Sequence, residues 1–331
     1  MKRLLYVIIA LFFVSIADAK EVDVNTPKGI LYGTLETPES SSSPLAILII
    51  SGSGPTDRDG NIQGLQGKNN SLKYLAEALA SQGVASLRFD KRGIGTSASL
   101  ATLEEELRFE TYIDDVIAWV NYLKQQGKYS ACLILGHSEG SLIGMVAAQR
   151  ANVRGFISIS GAGRPAPELI VEQTRKQLPP DLVRETERIL SELKAGRTVK
   201  SPPPALNVLF RESVQPYLIS WFRYEPAKEI AKLDIPALII QGSTDIQISV
   251  DDAKMLKNAS KGARLLIIEG MNHVLKRVPN DAQKQLASYG DPSLPVSEEL
   301  VSEILGFINP MARKSPNKSL KGDAAKDRRA P

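Results

Sequence analysis

The 331-residue chain has one cysteine, Cys132, and two histidines, His137 and His273. A single thiol excludes an intramolecular disulfide and any zinc or iron–sulfur centre built on cysteines. Two histidines leave little room for a histidine-rich metal site, and any imidazole acid–base chemistry must use one of the two. Aromatic residues make up 6% of the chain and tryptophan occurs twice, so aromatic residues close together in sequence stand out. Long apolar runs are also missing. The longest, Leu4 to Ile16, has 13 residues, about 20 Å as a helix at 1.5 Å per residue, short of a bilayer core of about 30 Å.

That run follows Lys2 and Arg3 and precedes Ala17-Asp18-Ala19. A basic start, an apolar centre and small residues at the end are the pattern of a secretory leader. Cleavage after Ala19 is expected, with an extracytoplasmic (periplasmic or secreted) mature protein and no stable membrane insertion. A mature domain of this size does without disulfides because its core is large enough. At the other end, 311–331 has seven Lys/Arg, two Asp/Glu and almost nothing to bury, which reads as a disordered basic tail. Its functional reading is adhesion to an anionic polymer or lipid surface. The net charge is +4, of which the tail carries +5 and the leader +1, leaving the body at −2. The basic balance therefore belongs to the ends, and no nucleic-acid partner is expected.

What fills the body is an alternation of strand and helix. Glu21 to Thr26 and Ile30 to Glu36 read as an antiparallel pair. Leu45 to Ile50 is a continuous apolar run of the kind buried on both faces of a sheet. Strands over Val84 to Phe89, Ala131 to Leu135, Phe156 to Ser160, Ala237 to Gln241 and Leu265 to Ile268 alternate with helices over Leu72 to Ser81, Phe109 to Gln126, Ser138 to Ala151, Val250 to Asn258 and Ser297 to Ile308. Repetition of this kind predicts an α/β fold, a mostly parallel, doubly wound sheet covered by helices on both sides. The alternation breaks once, and a helical cap insertion is expected over 164–232, with the core formed by 20–163 and 233–310. Trp221 and Phe222 lie in the insertion's most aromatic stretch. They either dock it on the core or line a substrate pocket.

Gly136-His137-Ser138-Glu139-Gly140 matches G-x-S-x-G between a predicted strand and a predicted helix. In that context the serine sits on a strained turn at a helix N-terminus, exposed to a substrate and close to free N–H groups. A serine hydroxyl needs a base to remove its proton. His137, beside Ser138, is assigned to packing or hydrogen bonding, because an elbow turns neighbouring side chains apart. His273, in the loop after the last predicted strand, is the base. Asp245, after the penultimate strand, completes the chain order Ser, Asp, His and would fix the imidazole tautomer. Asp251 and Asp252 are explained by capping of the next helix, and Glu269 is a competitor by sequence proximity alone. The oxyanion donors are expected to be the backbone N–H groups of Glu139 and of Ser53, in the loop Ser51-Gly-Ser-Gly-Pro-Thr-Asp-Arg-Asp-Gly60. That loop lacks the Gly-Lys-Ser/Thr ending of a phosphate loop. Asp57, Arg58 and Asp59 read as ion pairs rather than metal ligands, with Asp90 and Arg92 of the turn after the next strand as their partners. No metal or cofactor is called for.

These residues resemble an α/β-hydrolase over roughly 31–308, and more narrowly bacterial EstD-type carboxylesterases. The resemblance rests on the Gly-Ser-Gly-Pro-x-Asp-Arg-Asp loop, the Asp-Lys-Arg-Gly turn, the Gly-His-Ser-x-Gly elbow and Glu269-Gly-Met-Asn-His273. It implies a helical cap, an acid after the seventh strand and a serine hydrolase acting on short-chain acyl esters, small-molecule substrates processed through an acyl-enzyme. Thioester or amide hydrolysis would use the same groups, and a non-catalytic surface-binding protein using the tail is the alternative from another class. One departure is Glu139, where related enzymes often carry Leu, Met or Gln, so the polarity of the acyl pocket is left open.

Overall fold

The computed structural model describes residues 18–38, 45–99, 104–129 and 131–312. Most of the expected leader and of the basic tail lie outside these. In chain order the strands are β1 (Asp18–Thr26), β2 (Gly29–Thr37), β3 (Leu45–Ile50), β4 (Ala85–Phe89), β5 (Ala131–His137), β6 (Gly155–Ile159), β7 (Ala237–Gly242) and β8 (Arg264–Ile268). The helices are α1 (Ser71–Ser81), α2 (Phe109–Gln125), α3 (Glu139–Arg150), α4 (Ala166–Gln177), α5 (Pro180–Lys194), α6 (Asn207–Phe210), α7 (Gln215–Trp221), α8 (Pro226–Ile230), α9 (Val250–Ala259), α10 (Ala282–Ser288) and α11 (Glu298–Ala312).

The strands form one eight-stranded sheet in the order β1-β2-β4-β3-β5-β6-β7-β8. β1 and β2 are antiparallel to their neighbours and the rest are parallel. Side-chain alternation along β3 shows why both faces must be covered. Leu45, Ile47 and Ile49 join a core with α1 and α11, while Ala46, Leu48 and Ile50 join a core with α2 and α3. α2 supplies Phe109, Tyr112, Ile113, Val116, Trp119, Val120 and Leu123, the three- and four-residue spacing of a helix with one buried stripe. The expected doubly wound architecture is what forms.

The strand order also decides where chemistry can occur. From β3 the chain crosses to β4 on one side and then returns to β5 on the other, so the loops after β3 and β5 part at a switch point. In open α/β sheets such a point leaves a crevice at the carboxyl ends of the strands. The loops carrying Ser53, Asp90, Ser138, Asp245 and His273 all follow strands of the parallel set at this edge.

Between β6 and β7 the insertion holds α4 to α8. α5 turns Thr186, Ile189, Leu190 and Leu193 inward, and α7 buries Tyr217 and Leu218 in the core shared with α2 and α3. Two expectations need correction. α11 runs on through Met311 and Ala312, past the anticipated start of the tail at 311, because Met311 still packs against the α1/α11 core. Arg92 does not join the charged loop after β3. Its guanidinium Nε donates to Asp115 on α2 at 2.7 Å, and its other nitrogens reach Thr26 Oγ1 and the Lys28 carbonyl.

That buried pair ties the β1–β2 turn to α2. Removing one member leaves an uncompensated buried charge, a loss of about 3–5 kcal/mol in comparable pairs. Asp115→Ala is expected to lower the urea midpoint by a corresponding amount with an unchanged slope, read by circular dichroism.

Candidate active site

β5 ends in Gly136-His137, and α3 begins at Glu139. Ser138 between them has φ 55° and ψ −121°, a backbone state that costs a non-glycine residue about 1–3 kcal/mol. Contacts on either side hold it there. A β-carbon at Gly136 would lie 2.2 Å from the Gly140 carbonyl oxygen, and one at Gly140 would lie 2.5 Å from the Ile50 carbonyl oxygen. Only glycine allows β3, β5 and α3 to come this close. The Ser138 N–H donates to the Ile159 carbonyl at 3.0 Å, anchoring the turn to β6.

His273 is buried in the loop after β8. Asn272 sets that loop: its carbonyl accepts from Leu275 N–H at 3.0 Å, its side-chain oxygen accepts from Lys276 N–H at 3.1 Å, and its amide donates to Ser288 Oγ at 2.8 Å. His273 Nδ1 lies 2.8 Å from Asp245 Oδ2. The same carboxylate accepts from the N–H groups of Gln247 and Ile248 at 2.8 and 3.0 Å and from Gln241 Nε2 at 3.1 Å. Burial alone would raise its pKa, but the neighbouring imidazole and these donors outweigh burial and hold the carboxyl below its usual value. With Nδ1 on the carboxylate, Nε2 is left as the ring's proton-accepting nitrogen. Of the competitors, Asp252 forms a capping box with Ser249 and binds Arg164, Asp251 pairs with Lys254 on the surface, and Glu269 is exposed.

His137 has a separate task. Its Nε2 donates to the His273 carbonyl oxygen at 2.8 Å, and the rings lie 4.9 Å apart. Burial, reinforced by His273, lowers its pKa to about 3. It is therefore neutral and ties the residue before the serine to the loop of the second histidine.

The loop after β3 lies against the same turn. A β-carbon on Gly52 would sit 3.2 Å from Ser138 Cβ and 3.7 Å from its Oγ. Ser53 follows in this loop, and Glu139 is the first residue of α3. Among the described residues neither N–H donates a hydrogen bond to another loop or strand. Nearby, Arg58 donates to Asp90 from its backbone at 2.8 Å and from Nε at 3.0 Å, and Asp59 pairs with Arg88. Asp57 accepts from the N–H groups of Asp59 and Asn61. The charges of this loop are thus consumed in holding its shape.

The Glu139 side chain is buried. It receives a hydrogen bond from the Tyr217 hydroxyl of α7 and lies 3.8 Å from Lys91 Nζ. Lys91 in turn donates to the Gly52 carbonyl oxygen and stands 5.3 Å over the Tyr112 ring. Sequence reasoning did not single out Lys91 or Tyr217. The available signal was the position of Lys91 in the turn after β4, at the same sheet edge as the elbow.

Trp221 stacks on Phe109 at 6.0 Å with the rings parallel, and Phe222 packs beside it at 6.3 Å. This contact fastens the end of α7 to the start of α2. Of the two cavities described, one of about 660 Å³ lies between α1 and α11, and one of about 410 Å³ lies beside Arg108, Pro216 and Arg223. Neither is lined by Trp221, Phe222, Ser138, Asp245 or His273.

Solved structures of other proteins share this fold. The thermophilic esterase of Thermogutta terrifontis with malate bound superposes with a TM-score of 0.55 at 18% identity, covering 89% of this chain and all of that one. Ferulic-acid-bound Est1E of Butyrivibrio proteoclasticus gives 0.56 at 19% identity, covering 87% and 99%. At these identities the likeness is one of fold, and the fold is that of the α/β-hydrolases. A family model described as serine aminopeptidase, S33, matches residues 62–214 of the chain, a range that contains Ser138 and ends before Asp245. Esterase EstD of Thermotoga maritima is 30% identical over 264 residues, 78% of this chain. The chain spans 60% of the length of that relative.

Because His137 binds a proton far less readily folded than unfolded, the unfolded state holds more protons between about pH 6.5 and 3, and the stability contributed by its neutral form is lost as pH falls through that window. His137→Asn, which keeps a donor and removes the titrating ring, is expected to give a flatter decline in urea midpoint across the window than the parent protein.

Proposed function

We propose that the chain is a serine carboxylic-ester hydrolase working through Ser138, His273 and Asp245. The observation that carries this reading is the 2.8 Å contact between His273 Nδ1 and buried, ionised Asp245, in a fold whose serine occupies a strained strand-to-helix turn. The Ser138 hydroxyl attacks the ester carbonyl while His273 Nε2 accepts its proton. Asp245 stabilises the imidazolium and fixes its orientation. The carbonyl oxygen, now negative, takes hydrogen bonds from the N–H groups of Ser53 and Glu139, in a position also favoured by the N-terminus of α3. Collapse of the adduct expels the alcohol, protonated by His273, and leaves an acyl-enzyme. Water, deprotonated by His273, then releases the acid and regenerates Ser138.

The substrates we propose are short-chain acyl esters. Ester substrates are supported by the likeness to Esterase EstD, and the short acyl chain follows from the resemblance of the loop and elbow motifs to EstD-type carboxylesterases. Thioesters and amides are accessible to the same machinery, and leaving-group preference is set at the α4–α8 side of the site. We also propose that the leader is removed after Ala19 and that the enzyme works outside the cytoplasm. The β1–β2 ladder from Lys20↔Leu35 to Thr26↔Gly29 would survive that cut.

Hydrolysis of p-nitrophenyl esters tests the reading. The parent protein is expected to prefer acetate or butyrate to octanoate and longer chains. Ser138→Ala and His273→Ala, shown to be folded, are expected to lose at least about 10⁴-fold in kcat, and Asp245→Asn about 10³- to 10⁴-fold. Folded variants with undiminished turnover would overturn the assignment.

A further inference from the structure

Lys91 is fully buried, a costly place for an ammonium group. It comes from the turn after β4 and touches three separate parts of the site: the Gly52 carbonyl oxygen, the Glu139 carboxylate and the face of Tyr112. None of these contacts is needed to close the sheet, whose β3 and β4 strands already pair through the ladder from Ala46↔Ala85 to Ile49↔Arg88.

The contact with Gly52 has a definite geometric result. The carbonyl of Gly52 and the N–H of Ser53 belong to one peptide group, planar and trans, so they point in opposite directions. An ammonium that holds the carbonyl oxygen on one side therefore fixes the N–H on the other. The Ser51–Gly60 loop contains Gly52 and Gly54, and Gly54 has φ +66°, so this peptide is not locked by bulky side chains on its own segment. The only side-chain donor to the Gly52 oxygen among the described residues is Lys91.

The second contact concerns Glu139, whose backbone N–H opens α3. Its carboxylate is held between Lys91 and the Tyr217 hydroxyl, and Tyr217 is braced by Tyr112 at 5.6 Å and Phe109 at 6.2 Å. One buried cation thus connects the peptide that bears one oxyanion donor to the residue that bears the other, and a helix of the insertion closes the connection from above.

We propose that Lys91 is the positioning residue of the oxyanion hole: by holding the Gly52 carbonyl it aims the Ser53 N–H, and by pairing with Glu139 it fixes the spacing of that N–H from the Glu139 N–H. The role rests on the serine-hydrolase reading given above. Lys91 touches neither substrate nor reacting atoms. Its removal is felt where negative charge develops, in the tetrahedral adduct, and hardly at all in ground-state binding.

Three variants separate this role from a general contribution to folding. Lys91→Met removes the ammonium but leaves Glu139 unpaired, so the double variant Lys91→Met/Glu139→Gln removes both charges and relieves that burden. Glu139→Gln alone keeps Lys91 on the Gly52 carbonyl. With p-nitrophenyl butyrate, the double variant is expected to lose about 10²-fold in kcat, the size of effect seen when one oxyanion donor is lost, with KM altered less than about threefold. Affinity for an alkyl boronic acid, which forms a tetrahedral adduct on the serine, is expected to fall in parallel. Glu139→Gln is expected to lose clearly less on both readouts. The proposal is overturned if the folded double variant keeps kcat and boronate affinity within about threefold of the parent, or if Glu139→Gln alone loses as much as the double variant. A parent protein that turns over the ester in those cases leaves the esterase reading standing. A parent protein that does not turn it over removes that reading, and the role of Lys91 with it.

Discussion

Everything at this site depends on one unfavourable piece of backbone, the turn at Ser138. Its positive φ is maintained by close packing on both sides, where the carbonyls of Gly140 and Ile50 occupy space that any β-carbon at Gly136 or Gly140 would need. Strain of about 1–3 kcal/mol is tolerable in a domain whose sheet is covered on both faces. The result is a serine placed between the last residue of β5 and the first residue of α3, in a backbone state that few non-glycine residues adopt.

Around that turn the fold arranges groups that are far apart in sequence. Asp245 and His273 follow β7 and β8, the two strands added after the insertion, and meet at 2.8 Å. Gly52 follows β3, which lies directly beside β5, and so its loop touches Ser138. His137 links the elbow to the His273 carbonyl. Lys91 links the loop after β3 to Glu139, and Tyr217 links Glu139 to the insertion. Five of the six parallel strands, β3, β4, β5, β7 and β8, thus end in a loop that either supplies a polar group or holds one in place. The electrostatics are divided: Asp245 is kept ionised by donors, and His137 is kept neutral by burial.

The sheet and the chain order of Ser138, Asp245 and His273 were legible because they follow from local patterns. Apolar runs such as Leu45–Ile50 mark strands buried on both faces, and G-x-S-x-G at a strand-to-helix junction marks an elbow. Other features were not legible because they are decided by contacts across long stretches of sequence. Lys91, Glu139 and Tyr217 come from the turn after β4, from α3 and from α7, and no spacing rule joins a lysine to a carboxylate 48 residues later. Arg92 was assigned to the nearest charged loop, but a buried arginine takes the partner its helix packing offers, here Asp115. Trp221 and Phe222 stood out by composition, yet aromatic residues at the end of a docking helix serve attachment as readily as recognition. α10 has few apolar residues to reveal it. Its N-terminus is set by Asp281, which caps Lys284 N–H at 2.9 Å.

The central claim is that the elbow makes Ser138 a nucleophile and that His273 activates it. Reaction with a fluorophosphonate, followed by intact-mass measurement and peptide mapping, addresses it directly. The account predicts one adduct per chain, on the peptide containing Ser138, formed far more slowly in a folded His273→Ala variant. An adduct at another serine, or none on the folded parent protein, would contradict it.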